Sequence, residues 1–138
     1  AAFMVGAAGV WLGLAGEYER GIAYIHQSIK MAPFYPGWFH FVPFAMHYRS
    51  GEYEQALIEA NKINLPEWFW DPLLRAATLG QLGRIEQARA AYNELLTIKP
   101  DFDAKARYFV NALLMDDVLI EGLFEGLAKA GLKASADR

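Results

Sequence analysis

The sequence predicts an all-α chain built from stacked helix hairpins, and three observations carry that prediction. A short turn signature recurs as Gly16-Glu17-Tyr18, Gly51-Glu52-Tyr53 and Gly83-Arg84-Ile85, in steps of 35 and 32 residues. Each triplet is followed at the same offset by a small residue (Gly21, Ala56, Ala88) and later by a proline (Pro33, Pro66, Pro100), the prolines standing 33 and 34 residues apart. Between these markers the apolar residues keep helical spacing, as in Ile22, Ile25 and Ile29 or Ala88, Ala91, Tyr92 and Leu95, and strand alternation is absent.

Each marker has a physical task. The glycine permits the positive φ that ends a first helix, the small residue lets the two helices of a hairpin approach closely, and the proline stops the second helix. The opening stretch Ala1–Gly16 carries no charge, yet Glu17, Glu19 and Arg20 follow at once, so it is too short to span a membrane and has no basic region to make it a signal peptide. Gly6, Gly9 and Gly13 suit close helix packing instead. The segment reads as a buried helix whose outer neighbour is missing. With no initiating methionine, the chain reads as a fragment of a longer protein. In the second unit Pro43 predicts a kink, since an unsupported proline inside a helix costs about 3 kcal/mol, and the second helix is short, ending near Asn64 before Leu65-Pro66. In the third unit Asp71-Pro72 reads either as an N-cap with proline in the first turn or as part of a helix begun at Pro66.

Beyond Pro100, residues Asp103 to Met115 read as a further helix and Asp116 to Ala130 as a last one. That last helix places Val118, Leu119, Leu123, Leu127 and Ala130 on one face and Glu121, Glu125 and Lys129 on the polar side that a terminal cap needs. Gly131-Leu132 reads as a glycine stop with its hydrophobic contact. Gly122 and Gly126 predict close packing on the preceding helix.

The chain has 138 residues, 54% of them hydrophobic, enough for the core of a single domain. Charged residues of both signs are interspersed, and the formal net charge of -3 gives no long-range attraction to nucleic acid or anionic lipid. The absence of cysteine removes disulfides, thiolate metal sites and a thiol nucleophile, and fits a cytoplasmic location.

The Gly-acid-Tyr turns, following alanines and closing prolines resemble the tetratricopeptide repeat (TPR) family over roughly Ala2 to Pro100. The resemblance implies a right-handed superhelix of about three hairpins, near 1–33, 36–65 and 67–100, with capping helices near 103–131. The first helices depart from the family's Trp-Leu-Gly-Tyr pattern, the second carrying His40, Pro43, Phe44 and His47 in those places. The ending Glu121-Gly122-Leu123 through Lys129-Ala130-Gly131-Leu132 is similar to the tail of repeat regions at the C-terminus of bacterial signalling proteins, including class III adenylate or guanylate cyclases. No cyclase motif is present, so that resemblance implies no cyclase activity for this chain.

No residue set predicts catalysis, a metal or a cofactor. His40 and His47 lie seven apart on one helix face, but no third or fourth ligand converges in their register, so hydrogen-bonded packing histidines are expected and His26 is expected to be exposed. Asp116-Asp117 and Asp101 with Asp103 sit at helix starts, where capping and the helix dipole account for them.

The resemblance also indicates where function would lie, because in the family the first helix of each hairpin lines a concave groove. In this register the groove carries Phe3, Val10 and Leu14, then Trp38, Phe41, Ala45, Tyr48 and Arg49, then Trp70, Leu73, Ala77 and Gln81. The Lys, Asn and Arg clamp of the family's chaperone-binding members is replaced by Gly6, Val10, Phe41, Ala45, Leu73 and Ala77. The expected ligand is a hydrophobic peptide or helix, from another protein or from the missing part of the parent chain, bound by Trp38, Phe41, Tyr48, Arg49, Trp70, Leu73 and Gln81. The aromatics at 38–44 and 68–70 equally suit the seams between hairpins. The other expectation is an oligomerisation or regulatory module, with the apolar first helix and exposed aromatics forming a homodimer.

Overall fold

At Gly16, Gly51 and Gly83 the backbone takes φ of 97°, 77° and 75°, reversing the chain between the two helices of each hairpin. The structure, a computed structural model, describes residues 1–133. Within them it holds eight helices and no strand: α1 (Ala2–Leu14), α2 (Tyr18–Met31), α3 (Phe41–Arg49), α4 (Tyr53–Ile63), α5 (Trp70–Gln81), α6 (Ile85–Ile98), α7 (Phe102–Asn111) and α8 (Asp117–Ala130). Helices α1/α2, α3/α4 and α5/α6 form the three repeated hairpins. The fold is therefore all-helical and of the helical-repeat type expected.

Close approach within the first hairpin depends on glycine at both helices. A Cβ on Gly9 would stand 2.5 Å from the carbonyl oxygen of Gly21, and one on Gly21 2.9 Å from the amide of Gly13, so neither helix tolerates a side chain there. Two apolar clusters result. A small one joins Val10, Ile25, Phe39 and Val42, and a large one runs from Phe41 through α4, α5 and α6 to Leu132.

Pro43, expected to kink its helix, and Pro72, open to two readings, both lie in first turns. A 3-10 turn, Gly37–His40, precedes α3, so Pro43 is the third residue of its helix, where its missing N–H has no helical carbonyl to bond. The expected kink is replaced by a late helix start. Pro72 is likewise the third residue of α5, which begins at Trp70 and not at Pro66. Asp71 is no cap: its carboxylate accepts the Leu65 amide at 2.7 Å and an Arg75 Nε–H at 2.8 Å, tying the link from α4 to α5.

The largest departure concerns α8. It does not pack chiefly on the preceding helix α7 but returns to lie across α5, with flanking contacts to α6 and α3. Gly122 and Gly126 make that possible, since a Cβ on Gly126 would stand 2.6 Å from the Tyr48 hydroxyl. The buried face is Leu119, Ile120, Leu123, Phe124, Leu127 and Ala130. Val118, expected on that face, is 57% exposed and lies outside the buried stripe. Gly131 ends α8 at φ 131° and Leu132 folds back into the core.

Candidate interaction site

The face expected to form an open groove is largely covered by the chain itself. Tyr48 Oη donates to the Gly122 carbonyl at 2.6 Å, and Gln81 Nε2 donates to the same oxygen at 3.1 Å. Lys129 Nζ donates to Gln81 Oε1 at 2.9 Å. Burial holds the Tyr48 phenol well above its usual range, so it remains a donor. At the other end of α8, Asp116 caps the helix by accepting the Val118 and Leu119 amides at 3.0 and 3.3 Å. Its second oxygen accepts Tyr18 Oη and Arg49 Nε, both at 2.7 Å. Burial raises the Asp116 pKa, but the hydrogen bonds from Tyr18, Leu119 and Arg49 outweigh it, and the net shift is downward.

Five large side chains of α8 (Leu119, Ile120, Leu123, Phe124, Leu127) lie in the core. At roughly 1.5–3 kcal/mol for each one buried, detaching the helix would consume about as much free energy as a domain's whole stability. Helix α8 is a fixed wall and not a ligand that exchanges.

The seven residues expected to bind a partner therefore separate by position. Leu73 and Trp70 lie in the core, and Tyr48 is buried beneath α8. Arg49 and Gln81 hold α8 through the bonds just described. Phe41 is buried as the floor of a remaining opening, and Trp38 stands at its side, half-buried. The expectation of one long open groove is thus not met, because the C-terminal helix returns over the first helices of the second and third hairpins.

What stays open is an apolar cavity of about 180 Å³ lined by Val10, Trp11, Leu14, Trp38, Phe41, Trp68 and Leu113. Every lining side chain is apolar or aromatic, and three of the chain's four tryptophans meet there. Three different kinds of element position them. Trp11 projects from α1 and is 69% exposed. Trp38 belongs to the 3-10 turn and is braced edge-on by Phe3 at 5.9 Å and Phe39 at 4.9 Å. Trp68 lies in the link between α4 and α5, where its amide donates to the Leu65 carbonyl at 2.9 Å and its ring stands 6.2 Å from Phe41. Leu113, from the connection between α7 and α8, closes one side.

The sequence register places Val10, Leu14, Trp38 and Phe41 on this face, and the structure adds Trp11, Trp68 and Leu113 to the site. Trp11 was the findable one, since it adjoins the Val10 and Leu14 stripe on a helix without charge. A wider, shallower depression of about 620 Å³ runs past Glu17, Arg20 and Arg49. Its cations are engaged, Arg20 with Glu17 at 3.3 Å and Arg49 with Asp116 at 2.7 Å.

Two of the three histidines make hydrogen bonds within the fold, and His26 is exposed. His40 is buried, bonded to Tyr35 Oη at 2.8 Å and Glu59 Oε1 at 2.9 Å, and His47 meets Glu52 at 2.8 Å. Glu59 is pushed up by burial but brought below its ordinary range by His40 and Lys62. Among the described residues no group of three or more His, Asp or Glu side chains is placed to hold a metal ion, and no helix is long and apolar enough to cross a membrane.

Residues 73–102 match the tetratricopeptide repeat family, a span covering most of α5, all of α6 and the first residue of α7. No curated protein and no solved structure matches the chain significantly.

Proposed function

We propose that the chain is a protein-interaction module that takes up an apolar side chain of a partner peptide or helix between Trp11, Trp38 and Trp68. Tetratricopeptide repeats generally mediate protein–protein interaction, and the match at 73–102 supports that class. The observation carrying the finer reading is the cavity itself: an all-apolar hollow of about 180 Å³ left open to water where the rest of the face is filled. Exposed tryptophan around an apolar floor is the composition of an interface anchor site, because large rigid rings lose little entropy on binding and exclude water from the seated group. The cavity accepts one leucine, methionine or phenylalanine side chain, and its lining supplies no charge to orient a carboxylate or phosphate.

The test uses fluorescence titration with 15-residue Ala/Glu/Lys peptides carrying a single central Leu, Phe, Met or Ala. The Leu, Phe or Met peptides are expected to bind more tightly than the Ala peptide. Trp38→Ala and Trp68→Ala are each expected to weaken that binding at least tenfold, about 1.4 kcal/mol or more, with helix content retained. Equal binding of all four peptides, or binding indifferent to both substitutions, overturns the proposal.

A further inference from the structure

We infer that the outward face of α1 is the seat of another helix hairpin of the same repeat type, placed upstream in the same polypeptide and stacked on α1 as the first hairpin stacks on α3. The inference is argued from the repeat register and not from the cavity, and Trp11 is the one residue the two surfaces share.

The repeat supplies the argument. With the three turn glycines aligned, Met4, Ala7 and Trp11 of α1 correspond to Phe39, Val42 and Met46 in the second unit and to Asp71, Leu74 and Thr78 in the third. In those later units the positions are where a hairpin receives the one before it. Phe39 and Val42 are fully buried, set against Gly6 and Gly13 of α1, and Met46 is half-buried. Asp71, Leu74 and Thr78 are buried too, with Asp71 holding the amide of Leu65 just after α4. At the same register in the first unit Met4 is 70% exposed and Trp11 69%.

The chemistry of the exposed positions fits an occupied face. Helix α1 has no charged or polar residue anywhere along it, so it lacks the solvated side that a surface helix carries. Ala7 and Ala8, between Met4 and Trp11, leave room for a helix to approach closely. The opposite end of the array offers no equivalent seat, because α7 and α8 are packed over α5 and α6. Head-to-tail stacking of copies through α1 is therefore excluded, the repeat register favours an in-chain hairpin as the occupant, and α1-on-α1 pairing of two copies is the outcome that the concentration series tests.

The experiment places a copy of residues 36–67 directly before Ala1, restoring a 32-residue step between turn glycines, and maps peroxide oxidation of methionine by mass spectrometry. Met115, 73% exposed and beside the Leu14 end of α1, at the opposite end of that helix from Met4, is the internal standard for Met4. In the original chain the two should oxidise at similar rates at every concentration. In the extended chain Met4 should slow at least tenfold relative to Met115, and Ala8→Glu should restore its rate. Unchanged Met4 oxidation in the extended chain overturns the inference, and so does failure of the added residues to gain helical circular dichroism, since this face is what should fold them. Met4 protection that rises with concentration in the original chain also overturns it, assigning the face to a second copy. Peptide binding at Trp38 and Trp68 is scored separately.

Discussion

The two ends of the array are finished in opposite ways. Helix α8 has a buried stripe from Leu119 to Ala130, an outward side carrying Glu121, Glu125 and Lys129, a side-chain cap at Asp116 and a glycine stop at Gly131. An Arg107 guanidinium forks onto Glu121 at 2.6 and 2.8 Å and lies over the Phe124 ring at 4.3 Å, fixing the helix from outside. Helix α1 has neither a side-chain cap nor any charge, and it leaves Met4 and Trp11 in water. Both helices use glycine to approach a neighbour, so close packing does not distinguish them. The polar outer side does: α8 turns charged residues to water, whereas α1 turns apolar ones.

The sharpest way to break this contrast is to unseat α8. Gly126→Leu places a side chain where the Tyr48 hydroxyl and the Ala77 carbonyl already stand. Overpacking of this kind costs about 3 kcal/mol, and the backbone contact leaves little room for relief. Urea denaturation should show the loss, and limited proteolysis should cut near 112–116 first. A variant as stable as the original would mean that α8 is not held by the α5 contact.

A smaller effect is expected at the Asp116 junction, where α8 meets the first and second hairpins. Asp116→Ala removes the cap and the acceptor of Tyr18 and Arg49 together, and should cost about 1–2 kcal/mol. The pH dependence follows from the downward shift of its carboxyl. A folded-state pKa below the unfolded value gives stability that is complete above the unfolded pKa and lost as pH falls through the folded one. Stability should therefore decline on acidification from about pH 5 downward, and Asp116→Ala should flatten part of that slope. An unchanged slope would place the titrating groups elsewhere.

What was legible in the sequence was whatever local chemistry determines. The turn glycines announced themselves because only a positive φ reverses the chain there, and Asp116 read as a helix start because its cap bonds reach only two and three residues ahead. The return of α8 was not legible. It rests on Gly122 meeting Tyr48, 74 residues away in sequence, and on Gly126 meeting Ala77 and Gly80. No periodicity within α8 specifies that partner, and the same glycine pair suits packing on the adjacent helix equally well. For the same reason the aromatic face was recognised as apolar while its occupant was missed. Trp70 and Leu73 lie in the core and Trp38 is half-buried, a difference in burial that their shared apolar character does not encode.

The mildest substitution completes the comparison from the α1 side. Met4→Glu adds a charge to an apolar helix, and on a face already covered it would bury an unpaired carboxylate. In this chain Met4 is 70% exposed, so the new group stays hydrated and stability should move by no more than about 0.5 kcal/mol. A Glu at the equivalent Phe39, which is fully buried, would be severe. Thermal or urea unfolding of Met4→Glu therefore reads directly whether the outward face of α1 is free in the chain as it stands. A loss of several kcal/mol would mean that something already covers it, a second copy being the first suspect, and the two ends would then differ in the origin of their cover and not in its presence.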